Sequence, residues 1–278
     1  RIKVSDEQNP WQACNCYEDL PMDTKRGPYP VVIFIHGTAG YAAQSAQITA
    51  HWATQGFVVI AMDHPGIYLT DLLALNMAPR QTEDVRELLA ELRAFRGGFA
   101  DLEGVIDLER IAIAGHSAGG AALVELGDEP GVQMLIPMAA GGTQASDALS
   151  LVMGAVDDQV VPYSEAEEGY AQTPGEKILI GLNNAGHLAF SDLCAMGRAR
   201  GGLIAILQET GVSLPEAAGD LIIRLGTDGC SESQMSPERG WQITNAITGS
   251  YLRAHLQCRG QAMTPRAITD LFAGDVEV

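Results

Sequence analysis

Three uninterrupted apolar runs fix what this chain can fold into. Residues 31–35 (Val-Val-Ile-Phe-Ile), 57–62 (Phe-Val-Val-Ile-Ala-Met) and 111–114 (Ile-Ala-Ile-Ala) do not alternate with polar residues. A strand with one wet face would alternate; a continuous run reads as a strand covered on both faces, as in the interior of a parallel sheet. Helical patterns lie between the runs. Residues 46–54 form one. Residues 83–95 are the clearest, with Val85, Leu88, Leu89, Leu92 and Phe95 at helical spacing behind the acidic Glu83 and Asp84. Further strands are expected at 133–138, 149–153 and 177–182. Such alternation implies right-handed crossovers and an α/β fold, with a mainly parallel central sheet and helices on both faces. Sheets of this kind bind ligands at the carboxyl ends of their strands. Residues that directly follow strands are therefore the first candidates for chemistry.

The remaining segments are expected to serve this one unit, a single domain over 1–278. Residues 1–29, with Pro10, Pro21, Gly27 and Pro28, read as an N-terminal strap. Residues 191–236 break the strand–helix rhythm and read as an insertion near the site, followed by a closing helix over 238–257. No apolar run reaches the ~18 residues of a membrane span. The net charge of −18 is spread along the chain, which argues against nucleic acid and anionic membranes as partners. The chain begins at Arg1 rather than methionine, as a mature or trimmed product would. Five cysteines, at 14, 16, 194, 230 and 258, show no metal-ligand spacing. Cys194 and Cys230 flank the insertion and are the expected disulfide. That pairing would fit a secreted or periplasmic protein; the alternative is a cytoplasmic protein with ordinary thiols. No metal site and no cofactor are expected.

The run at 111–114 leads into Gly115-His116-Ser117-Ala118-Gly119, and the helix-compatible residues 121–126 follow. Strand, sharp turn and helix place Ser117 at an apex, with glycines where side chains would clash. A serine hydroxyl needs a base to act as a nucleophile, and the base needs an acid to fix its tautomer. Of six histidines, His187 follows the last strand on a loop. His36 reads as support for the loop after the first long strand. His51 and His255 fall in helices, His64 in a Pro-Gly turn, and His116 beside the serine pointing elsewhere. The acid is expected after the 149–153 strand, where Asp157 is preferred and Asp158 is the alternative. Either aspartate also reads as a cap for the helix near Tyr163. The backbone N–H groups of Thr38, in His36-Gly37-Thr38-Ala39-Gly40, and of Ala118 are the expected oxyanion donors.

These motifs resemble the α/β-hydrolase fold of serine esterases. Asp63-His64-Pro65-Gly66 and residues 187–192 (His-Leu-Ala-Phe-Ser-Asp) are similar to the dienelactone-hydrolase-like, chlorophyllase-like and platelet-activating-factor-acetylhydrolase-like group, with bacterial polyester-cleaving lipases nearby. The resemblance implies hydrolysis of a small-molecule or polymeric carboxylic ester through an acyl-enzyme. A thioesterase, peptidase or acyltransferase on the same fold is the first alternative, and a non-catalytic binding module the second. The usual first strands of the family are not evident in the strap, and the stretch after His187 is longer than a minimal member needs.

Overall fold

A computed structural model of the chain describes residues 2–3, 17–145 and 147–278. Cys14 and Cys16 lie outside the described residues. Strands β1 (Ile2–Lys3) and β2 (Tyr17–Glu18) form a small antiparallel pair apart from the main sheet. The main sheet holds seven strands: β3 (Tyr29–Ile35), β4 (Val58–Met62), β5 (Ile106–His116), β6 (Val132–Met138), β7 (Leu149–Ala155), β8 (Lys177–Leu182) and β9 (Val276–Glu277). Their order is β4-β3-β5-β6-β7-β8-β9; β3 to β8 pair in parallel and β9 is antiparallel to β8.

Side-chain parity divides the core into two layers. Val32 and Phe34 of β3 face one layer with Ala112 and Ala114 of β5, under α1 (Ala46–Thr54) and the long C-terminal helix at 237–256. Val31, Ile33 and Ile35 face the other, with Ile111 and Ile113, under the helix at 81–94. Helices thus cover both faces, which is why the runs carry no polar residues. In chain order the remaining helices are α2 (Leu69–Leu73), α3 (Gln81–Ala94), α4 (Ala118–Ala121), α5 (Tyr163–Gln172), α6 (Gly202–Glu209), α7 (Gly219–Thr227), α8 (Pro237–Leu256) and α9 (Pro265–Leu271).

Helices α1 and α8 are locked by a buried tryptophan. Trp52 is fully buried, packs against the Phe34 ring and donates its indole N–H to Thr248 Oγ1 at 2.8 Å. The helix after the Ser117 turn is shorter than its sequence suggests. Beyond α4 the amides of Leu123, Val124 and Leu126 bond back only three residues, to Gly120, Ala121 and Leu123. Gly119 and Gly120 disfavour a regular helix, yet each sits where a Cβ would strike a neighbour. The expected insertion folds as a short turn at 198–200 followed by α6 and α7. Cys194 and Cys230, at its two ends, form the expected disulfide; Cys258 is free and exposed. No helix among the described residues is long and apolar enough to cross a membrane.

Replacing Trp52 with alanine removes this lock and leaves a cavity. Urea unfolding should show a loss of about 3–5 kcal/mol; a loss under about 1 kcal/mol would mean that the α1–α8 contact is not a major part of the core.

Candidate active site

The sharp turn at the end of β5 is built from backbone packed on backbone. Ser117 has φ 57° and ψ −123°, a conformation costly for a residue with a Cβ. Its N–H donates to Met138 O at 2.8 Å, anchoring the turn to β6. A Cβ on Gly115 would lie 2.2 Å from Gly119 O, and one on Gly119 would lie 2.3 Å from Ile35 O. Glycine is the residue that fits at both. A Cβ on Gly37 would meet the Ser117 Cβ at 2.9 Å, so the loop after β3 lies directly against the serine. The N–H groups of Thr38 and Ala118 donate to no protein acceptor among the described residues.

The loop after β3 is held by two histidines. His36 donates from Nδ1 to Gly37 O at 2.8 Å and accepts the His64 N–H at Nε2 at 2.9 Å. His64 in turn donates from Nδ1 to Asp84 at the start of α3. The supporting role expected for His36 is the one its bonds describe. Desolvation by burial pushes the His36 pKa below its ordinary value.

The carboxylate bonded to His187 is that of Asp158, not Asp157. His187 Nδ1 donates to Asp158 Oδ2 at 2.8 Å, and both side chains are 1% exposed. Asp158 Oδ1 accepts the N–H groups of Val160 and Val161 at 2.7 and 2.8 Å. Asp157 is exposed, and its own N–H is tied to Ala185 O. The preference for Asp157 rests on a strand ending at 153, but β7 runs on to Ala155. A turn closed by Asp158 N–H on Ala155 O then carries residue 158 inward. Neither aspartate caps α5, whose N-cap is Pro162 without a side-chain bond.

Three positioning residues had no local signal in the sequence. Gln44 donates to His116 Nδ1 at 3.0 Å, which leaves His116 Nε2–H to donate to His187 O at 2.9 Å. The residue preceding the serine thereby holds the histidine's backbone. Asp228, at the end of the insertion, accepts two amides on one oxygen, from His187 at 2.8 Å and Gln159 at 2.9 Å. It ties the Asp158 loop to the His187 loop. His187 Nε2 is buried and makes no hydrogen bond, and the Ser117 hydroxyl makes none among the described residues. His51 and His255 lie away from this cluster, in α1 and α8. No group of acidic, His or Cys side chains with metal-binding geometry occurs among the described residues.

Comparison with known proteins places this geometry in context. A model of the chlorophyllase family matches residues 20–129. The bis(hydroxyethyl) terephthalate hydrolase of Streptomyces coelicolor is 30% identical over 178 residues, 61% of this chain and 54% of that protein. The cutinase est1 of Thermobifida alba is 27% identical over 169 residues, 58% of this chain and 54% of that protein. The chain spans about half the length of the curated relatives it matches. A solved ferulic acid esterase from Streptomyces cinnamoneus superposes with a TM-score of 0.60 at 22% identity, covering 87% of this chain and 73% of that one. The chain has the α/β-hydrolase fold. The similarity to chlorophyllase-like and polyester-cleaving proteins expected from the motifs is borne out.

Two outcomes follow from the polar network. Burial holds the His116 pKa down to about 3, from an ordinary 6.5. Below pH 6.5 the unfolded chain therefore binds a proton that the folded chain refuses. Stability is full above that pH and falls on acidification, by up to about 1.4 kcal/mol per pH unit from this residue. Melting temperature against pH should fall less steeply for His116→Gln; an identical slope would refute the assignment. Asp228→Ala leaves two amides without an acceptor and should cost about 1–3 kcal/mol in urea unfolding. Asp228→Asn, which keeps an oxygen there, should recover most of it. Equal losses in the two variants would rule out this role for the oxygen.

Proposed function

We propose that this chain is a carboxylic ester hydrolase working through Ser117, His187 and Asp158, with the amides of Thr38 and Ala118 as the oxyanion hole. The observation that carries the reading is the buried His187–Asp158 pair. It fixes a proton on Nδ1 and leaves Nε2 unprotonated and unpartnered, on a segment bonded to the residue before a strained serine. A free imidazole nitrogen in that place is a base ready for a hydroxyl proton.

Ser117 Oγ bonds to the ester carbonyl carbon while its proton passes to His187 Nε2. The carbonyl oxygen becomes an oxyanion held by the two free amides, each such donor being worth roughly a hundred- to a thousandfold in rate. The bond from carbon to the alcohol oxygen breaks, and His187 returns the proton to the departing alkoxide. Water repeats the attack on the acyl-enzyme with His187 again as base, and the carboxylic acid leaves. Asp158 keeps its charge throughout and stabilises the imidazolium. Because two backbone amides and the imidazole N–H already surround the Asp158 carboxylate, its burial is compensated.

The similarity to a bis(hydroxyethyl) terephthalate hydrolase, a cutinase and a ferulic acid esterase supports an oxygen ester over a thioester or amide as substrate. The Cys194–Cys230 disulfide supports an oxidising compartment, as in a secreted or periplasmic protein. The two neighbouring aspartates make a sharp test. Asp158→Asn should lower kcat on p-nitrophenyl acetate by about 10⁴-fold, through loss of the correct tautomer. Asp157→Asn, a surface change, should stay within about twofold. Ser117→Ala should abolish both turnover and labelling by a fluorophosphonate. The reverse ranking of the aspartates, or labelling that persists without Ser117, would overturn the proposal.

A further inference from the structure

A cavity of about 540 Å³ begins at Thr38, whose free amide is the proposed oxyanion donor. Its walls come from the 38–41 loop, from α2, and from α6 and α7 of the insertion. Leu72 and Ile222 are buried in a small apolar cluster on this side, with Leu207 and Leu225 packed against them. The volume lies in the range of ordinary small-molecule sites, roughly 300–1,000 Å³. Among the described residues that line it there is no charged side chain, no phenylalanine and no tryptophan. In a protein of net charge −18 an uncharged lining of this size is a local exception.

We propose, resting on the ester-hydrolase reading, that this cavity binds the aliphatic chain of a neutral ester and so makes the insertion the determinant of chain length. A carbonyl oxygen held by Thr38 N–H puts the rest of the ester at the cavity mouth. The walls are mainly branched aliphatic side chains, to which a flexible alkyl chain can conform. A flat aromatic acid would gain more from stacking on aromatic faces. The lining offers two, Tyr41 and Tyr68, and the Tyr41 hydroxyl is already donated to Met196 Sδ. A charged acid would meet no counter-charge and would lose its hydration. Each methylene that enters should raise kcat/KM about fourfold until the cavity is full.

The test measures kcat/KM on two series, p-nitrophenyl acetate to octanoate, and methyl to octyl acetate. The proposal expects a rise along at least one series, and the series that rises identifies the side of the ester that enters. Gly226 lies in α7, where an added Cβ would come within 2.7 Å of the flexible end of Ile204. Gly226→Leu adds a side chain at the cavity wall, and Leu207→Trp enlarges one from α6, so each should reduce the cavity volume. Both should lower the ratio of kcat/KM on the longest ester to that on acetate by about tenfold or more. A flat profile in the unmodified protein, a preference for p-nitrophenyl benzoate over hexanoate, or an unaltered rise in both filled variants would overturn the proposal. If acetate is still hydrolysed in those cases, the esterase reading stands and the cavity assignment alone falls. If no ester is turned over and Ser117 resists a fluorophosphonate, both fall.

Discussion

Where β3 and β5 end side by side, main chain rests on main chain with no side chain between. Gly115 on Gly119, Gly119 on the carbonyls of Ile35 and His36, and Gly37 on the Ser117 Cβ are all contacts that a methyl group would break. The strained φ of Ser117 persists because this packing and the Ser117–Met138 bond over-determine it. The same closeness brings the β3 loop, with its free Thr38 amide, against the Ser117 turn. The loop that carries Thr38 and the turn that carries Ser117 and Ala118 are thus in direct contact.

Around this centre the electrostatics are arranged without exposed charge. Asp158 is surrounded by three donors, and His116 is held neutral between Gln44 and the His187 carbonyl. Each buried polar group that orients the histidine is satisfied, which is what lets such a network be stiff rather than merely costly. Two imidazole nitrogens, His64 Nε2 and His187 Nε2, are the exceptions here among the described residues. The His187 nitrogen is the one on a segment bonded to the residue before Ser117, and that placement, rather than the missing partner alone, is the reason to read the cluster as poised for a proton.

How much of this is legible in the sequence depends on where the determining contacts lie. The interior strands are legible because burial on both faces writes itself into local composition, as at residues 31–35 and 177–182. Ser117 and His187 are legible because each follows such a strand. Asp158 is harder. Choosing it over Asp157 requires the true end of β7, and strand ends depend on pairing with β8 rather than on composition. Gln44, His116 and Asp228 act through hydrogen bonds that span 41 to 72 residues, and no local pattern could announce them. The two-residue β9 is likewise defined only by its partner.

The insertion is the part that ties substrate binding to chemistry. Its helices wall the apolar cavity, and its last turn reaches the candidate base. Leu188 N–H bonds to Asp228 O, His187 N–H bonds to the Asp228 carboxylate, and Gly229 packs on Gly186. Cys230, two residues further on, is fastened to Cys194 at the insertion's other end. The cavity wall and the histidine loop are therefore joined by one short segment, Asp228 to Cys230, which acts beside the His116 and Asp158 bonds to His187. A change in the pitch of α7 must move that segment or strain it, and either consequence is felt at His187. On this architecture the length of chain accepted and the placement of the base are not independent properties, since both are set by how α7 is stapled to the loop beside it.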